Sequence, residues 1–274
     1  MENTMVSAVD ALSAIVPRPE KEYMGEDGFI HCAKCNEKVQ TDVEVFGVKK
    51  RVRCVCRCRI EEKERIAERE RQEENQRKRM VCFSETNMSS WCFENDDRKN
   101  PKVSDAMMRY ADNFPQFLRE GKGLLLHGPV GTGKTYVAAC VANRLIDNGY
   151  SVLMTNFARL INKIQGMYEG KQEYIDSLNR YNLLVIDDLG IESKSEYRQE
   201  MVFNIIDSRY RAGLPIIITT NLTTEEIKKP QDIAYGRIFD RIIERCHPVE
   251  VAGQSRRRAS VKDSYLATKD ILGL

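Results

Sequence analysis

In the second half of the chain, short apolar runs alternate with amphipathic stretches. The runs are residues 123–127 (GLLLH), 151–154 (SVLM), 182–188 (NLLVIDD), 215–221 (PIIITTN) and 247–251 (HPVEV). The first four lack the polar alternation of a strand wetted on one face, so strands buried on both faces are predicted. Between them, apolar residues recur at helical spacing. Val137, Ala138, Val141, Leu145 and Ile146 mark a helix over 134–147, and Leu160, Ile161, Ile164 and Met167 one over 157–168. Another helix spans 197–211 and stops at Gly213. Thr223, with Glu226 three residues on, is a capping box that opens a short helix, and a further helix starts at Ile233. Strand and helix in alternation predict an α/β domain, a parallel sheet flanked by helices.

The first part of the chain has a different texture. Residues 59–80 read RIEEKERIAERERQEENQRKRM, with Ile60 and Ile66 the only large apolar side chains before Met80. Glu61 with Arg65 and Glu73 with Arg77 stand four apart, which favours a solvated helix. It divides the chain into an N-terminal module (1–58), a charged helical linker (59–86) and the α/β domain (87–274). Residues 81–116 form an irregular approach containing Trp91 and Phe93, with a helix expected from about Ser104.

The chemistry begins between the first strand and the first helix of the domain. Gly128-Pro129-Val130-Gly131-Thr132-Gly133-Lys134-Thr135 fits G-x-x-x-x-G-K-[ST]. Strand, glycine loop, helix is the context in which backbone N–H groups cradle phosphates at a helix N-terminus. Lys134 is expected on the β- and γ-phosphates of ATP, with Thr135 on Mg²⁺ and Tyr136 adjoining the nucleotide. About fifty residues on, the apolar run 182–186 ends in Asp187 and Asp188. Asp187 is expected to share Mg²⁺, and Asp188 to orient or deprotonate the attacking water. Asn221, at the end of the 215–221 run, falls beside the γ-phosphate if that strand lies between the other two. Arg237 and Arg241 lie four apart on one helical face, with Asp240 a candidate partner.

Net charge is +2, so any nucleic-acid surface is local. No apolar run approaches a membrane span, and the acidic N-terminal segment is not a secretory signal, so a cytoplasmic chain without a membrane partner is expected. Nine cysteines in such a chain point to thiols or metal. Cys32-Ala33-Lys34-Cys35 is followed by Cys54-Val55-Cys56-Arg57-Cys58. The spacing suits a tetrahedral Zn²⁺ held by Cys32, Cys35 and two of Cys54, Cys56 and Cys58, with Cys54 and Cys58 the expected pair. A β-hairpin over 43–53 brings the clusters together.

In their order, GPVGTGKT, LLVIDDLG, PIIITTN, GRIFDRI and GQSRRR resemble the DnaC/DnaI-type replicative helicase loaders. These share an initiator-type AAA+ domain with the IstB transposition helpers. The likeness covers residues 87–258. It implies an AAA+ P-loop ATPase in which Asn221 is the first sensor, Arg241 the arginine finger and Arg257 the second sensor. Arg256 stands where the family usually carries tyrosine. Many AAA+ ATPases have glutamate at the position of Asp188, and the shorter acid implies slow hydrolysis, stimulated by self-association or DNA. The cysteine-rich N-terminus resembles the zinc-bearing domain of the DnaI branch. The 157–168 helix, with Lys163, matches the insertion that lines single-stranded DNA.

The function implied is an ATP-dependent loader that places a replicative DNA helicase on single-stranded DNA, self-associating through its ATPase domain. The alternative is an IstB-like helper of a DNA transposase, a family that generally lacks a cysteine module. A metabolic nucleotide kinase fits poorly, because neither an acceptor site nor a lid is visible.

Overall fold

The computed structural model describes residues 14–45, 47–84, 86–190, 195–230, 233–256, 268–269 and 271–272. The chain divides into two compact units, Met1–Glu74 and Asn75–Leu274.

The first unit holds two antiparallel hairpins. Strand β1 (Glu22–Met24) pairs with β2 (Ile30–Cys32), and β3 (Gln40–Val45) with β4 (Val48–Arg53). Its apolar interior is Cys32, Val39 and Cys56, with Ile30, Cys35 and Cys58 packed around them. Burial on that scale cannot hold a fold by itself, and such units are normally stapled. Helix α1 (Arg57–Cys82) follows directly, two residues longer at each end than its charge pattern indicates. Arg65 pairs with Glu62 and Arg69 with Glu73 on its wetted surface.

In the second unit, α2 (Pro101–Asp112) and α3 (Phe114–Glu120) precede β5 (Gly123–His127) and α4 (Lys134–Asp147). Then come β6 (Val152–Asn156), α5 (Phe157–Gln165), α6 (Lys171–Ser177), β7 (Leu183–Leu189) and α7 (Glu196–Arg211). Strand β8 (Ile216–Thr220), α8 (Thr224–Lys228), α9 (Ile233–Arg245) and β9 (Cys246–Glu250) complete it. The sheet order is β6-β7-β8-β5-β9, and every pairing is parallel. Both faces are buried, and the pleat sorts side chains between them. Leu124 and Leu126 pack with Val137, Val141 and Ile146 on one face. Leu125 packs with Ile161, Ile205 and Ile238 on the other. That two-sided burial is why these strands read as unbroken apolar runs.

Two helices differ from the pattern. The helix expected over 157–168 stops at Gln165, with Gly166 as its C-cap, leaving Met167 and Tyr168 outside it. Gly170, at φ 76, then opens α6, which the apolar spacing did not reveal. Helix α2 starts at Pro101 rather than Ser104, with proline in the first turn where no N–H is needed. Among the described residues, no helix is long and apolar enough to cross a membrane.

Candidate functional site

Strand β5 ends at His127, and the chain turns through Gly128, Gly131 and Gly133 into α4 at Lys134. Gly131 (φ 83) and Gly133 (φ 103) lie in the left-handed region. They are also crowded. A Cβ on Gly133 would stand 3.2 Å from Arg256 Cζ, and one on Gly131 would overlap Ser255 Oγ. The backbone conformation is what demands glycine at both, since the crowding atoms belong to side chains that can move. Gly133 is the N-cap of α4 and brings no side chain to cover the first amides, which suits an anion. Thr132 Oγ1 tightens the loop by donating to Pro129 O at 3.0 Å. Lys134 Nζ folds back over it, donating to Gly128 O and Pro129 O at 2.8 Å each. Val130 is exposed at the tip. Tyr136 turns to the upstream segment: its ring lies 5.4 Å from that of Trp91, and its hydroxyl donates to Cys92 O. A cavity of about 290 Å³ flanks the loop, bounded by Lys99, Asn100, Thr132, Ala252 and Arg256.

The two acids stand at the end of β7, where pairing with β8 slips between Ile186 and Leu189. Asp188 takes φ 58. A β-bulge and a left-handed aspartate together re-aim side chains, and such backbone costs about 1–3 kcal/mol. Thr135 Oγ1 lies 3.0 and 3.1 Å from the Asp187 carboxylate oxygens. Thr219, fully buried, donates Oγ1 to Asp187 Oδ1 at 2.6 Å and accepts the Asp188 N–H at 2.9 Å. Burial pushes the Asp187 carboxyl above the usual range, with the Thr219 hydrogen bond opposing it. Asn221 Nδ2 reaches Asp188 Oδ1 at 3.5 Å. Because β8 lies between β5 and β7, the loop, both acids and Asn221 come together. Sequence reasoning missed Thr219. Its signal was a hydroxyl near the end of an otherwise aliphatic buried strand. The hydroxyl and carboxylate oxygens of Thr135 and Asp187 are the hard donors that Mg²⁺ requires.

The arginines are distributed differently. Arg241, on α9, donates Nε to Asp207 Oδ1 on α7 at 2.6 Å. Its carboxylate partner is thus Asp207 and not the neighbouring Asp240, because the face that carries Arg241 packs on α7. Arg237 is exposed. Arg257 lies outside the described residues. Its neighbour Arg256 donates its backbone N–H to Gly131 O at 2.9 Å and pairs with Asp97 at 3.2 Å. Lys163 Nζ sits 4.6 Å above the Tyr174 ring.

In the first unit, the ligand atoms of Cys32, Cys35, Cys56 and Cys58 all lie within 4.8 Å of one another. Cys32 Sγ is 3.6 Å and Cys56 Sγ 3.5 Å from Cys58 Sγ. Four sulfurs at 2.3 Å around a tetrahedral Zn²⁺ would stand about 3.8 Å apart, so the thiols fit the ion. The expected grouping is corrected at one position: the fourth thiol is Cys56 and not Cys54. The Cys54 N–H bonds to Val39 O and its thiol donates to Lys38 O, which carries the sulfur away from the group. Amide N–H groups of Cys35 and Lys34 at its sulfur bring the Cys32 thiol down to about 7, against burial. Burial pushes Cys58 and Cys56 up. His31 is engaged elsewhere, with Nδ1 at Asn36 O and Nε2 at Asp27.

The model of the IstB-like ATP-binding proteins matches residues 39–264. The chain belongs to that family. Its five-stranded parallel sheet flanked by helices is the α/β AAA+ fold, and the nucleotide its family is named for is ATP. It is 25% identical over 167 residues to the replicative helicase loader DnaI of Bacillus subtilis (strain 168), covering 56% of this chain and 54% of that one. It is 30% identical over 168 residues to a putative insertion sequence ATP-binding protein of Sinorhizobium fredii (strain NBRC 101917 / NGR234), covering 60% and 56%. The chain thus spans little more than half the length of these curated relatives. A crystal structure of DnaI superposes with a TM-score of 0.50 at 28% identity, covering 62% of this chain and 92% of that one. The DnaC helicase loader superposes with a TM-score of 0.51 at 23% identity, over 60% and 98%, a likeness of fold.

Proposed function

We propose that this IstB-family member is an ATP-dependent loader that delivers a replicative DNA helicase onto single-stranded DNA. The observation that carries the reading is the four-thiol unit ahead of an ATP-binding domain. That pairing is expected of the loader branch and not of the transposition helpers. Residues 1–58 would dock the helicase, 59–86 tether it, and 87–274 bind ATP, self-associate and hold DNA. Cys32, Cys35, Cys56 and Cys58 hold zinc, which gives the small unit the staple its core lacks.

In the ATPase domain, Lys134 leaves the loop carbonyls for the β- and γ-phosphates, while the α4 amides take the remaining phosphate charge. Thr135 and Asp187 hold Mg²⁺. That ion would supply positive charge against the phosphate oxygens. Asp188, aimed by its left-handed backbone, orients the attacking water with Asn221 beside it. One methylene shorter than glutamate, it gives a slow basal turnover. Arg241 serves the nucleotide of a neighbouring copy. Arg256, already on the loop backbone, is the better-placed second sensor among the described residues. Lys163 and the backbone of α5 face the DNA, and affinity falls with salt as counterions are displaced.

A second reading, a helper of a DNA transposase, draws on the family description and the insertion-sequence relative. The test is transfer of a replicative helicase to circular single-stranded DNA in the presence of ATP. Transfer that depends on the chain supports loading. Tight, ATP-favoured binding to duplex DNA with no transfer supports the helper.

A further inference from the structure

Arg241 is held from three sides. Its Nε donates to Asp207 Oδ1 at 2.6 Å, and its guanidinium lies 4.5 Å from the Phe203 ring centre and 5.7 Å from that of Tyr210. Asp207 is itself 7% exposed, and its other oxygen accepts from Arg211 at 2.8 Å. Among the described residues no hydrogen bond takes the Nη1 or Nη2 groups of Arg241, and its side chain is 28% exposed. A guanidinium fixed through Nε and stacked on rings keeps its outer fork of donors for another planar or tetrahedral anion.

We infer that Asp207 is a positioning residue for Arg241, pinning the guanidinium so that its Nη edge meets the γ-phosphate of an ATP bound to a second copy of this chain. The inference rests on the reading of Arg241 as an arginine that acts in trans. In the reaction it serves, a water oxygen bonds to the γ-phosphorus and the bond to the β,γ-bridging oxygen breaks. ADP leaves with that electron pair, and the water's protons depart with inorganic phosphate. Arg241 stabilises the charge that spreads over the γ-oxygens in between. An unpinned arginine would spend most of its time in other rotamers, and a misplacement of about 1 Å can cost on the order of 100-fold in rate. Asp207 never touches the phosphate.

The geometry makes the defect separable by mixing full-length variants. Asp207→Ala should bind ATP as the parent does but hydrolyse it at least ~10-fold more slowly. Lys134→Ala has no working nucleotide site but a sound finger. In an equal mixture, about one quarter of all sites pair an intact pocket with a neighbour's pinned Arg241, so turnover should recover to about a quarter of the parent rate. Arg241→Ala mixed with Lys134→Ala should recover in the same way, whereas Asp207→Ala mixed with Arg241→Ala should not. Asp207→Asn, which keeps the acceptor oxygen, should retain more activity than Asp207→Ala. Unchanged turnover in Asp207→Ala, or a defect that Lys134→Ala subunits cannot rescue while they do rescue Arg241→Ala, overturns the inference and leaves the finger standing. Failure of the Arg241→Ala and Lys134→Ala mixture to recover removes the trans role and the inference with it.

Discussion

Thr219 Oγ1 stands 2.6 Å from Asp187 Oδ1, although the two residues are 32 positions apart and on different strands. The same hydroxyl receives the Asp188 N–H, so one buried threonine orients Asp187 by its side chain and Asp188 by its backbone. Thr219→Val keeps shape and volume but removes both bonds. It should lower Mg²⁺-dependent turnover about 10–100-fold, the usual effect of losing a group that orients a ligand. Titration of ATPase rate against Mg²⁺, with thermal unfolding as a control, checks it. Burial raises the Asp187 carboxyl, and a proton competes with the cation for it, so Mg²⁺ affinity should begin to fall on acidification at a higher pH than for an ordinary carboxylate.

Lys134→Ala should abolish ATP binding and leave the domain folded. Its ammonium donates to the carbonyls of Gly128 and Pro129 in the loop, and the apolar core of α4 is made by Val137, Val141 and Ile146. A fluorescent-nucleotide titration that gave the variant the parent's affinity would contradict the role assigned to this loop.

The thiol group makes a sharper distinction. Cys54→Ser should retain one zinc per chain, because its thiol points to Lys38 O, while Cys56→Ser should lose it. Elemental analysis of anaerobically purified protein reads the difference. Chelation should unfold the first unit, whose apolar interior among the described residues is Cys32, Val39 and Cys56, and leave ATP binding unchanged.

Strands β5, β7 and β8 were legible because burial on both faces writes an unbroken apolar run. The phosphate loop was legible because its glycines are required by their positive φ, and Gly128 also by the Val251 carbonyl packed against it. Sheet order was not, since nothing in the 215–221 run says which strands flank it. Nor was the choice between Cys54 and Cys56, which spacing leaves equal. Cys56 joins the other three thiols, while the Cys54 N–H bonds to Val39 O and its thiol to Lys38 O. The Arg241 contact joins residues 34 apart on separate helices, and helical periodicity carries no information at that range. The early end of α5 traces to Gly166, a residue that apolar spacing ignores.

Arg209 is 2% exposed and donates to the carbonyls of Tyr181, Asn182 and Pro215 at 2.8–3.0 Å, joining the entries of β7 and β8. Burial draws its pKa down to about 10. Arg209→Ala leaves those carbonyls unpaired and should destabilise the domain by about 3 kcal/mol or more. The urea midpoint should drop with little change in slope.

On the reading proposed, the four-thiol unit grips a replicative helicase on behalf of an ATP-binding domain. Affinity capture of purified replicative helicase on the immobilised full-length chain, with ATP, tests it most directly. The parent and Lys134→Ala proteins should retain the helicase, whereas Cys32→Ser should release it while still binding ATP. No capture by the parent, or equal capture by Cys32→Ser after its zinc is gone, would contradict the account.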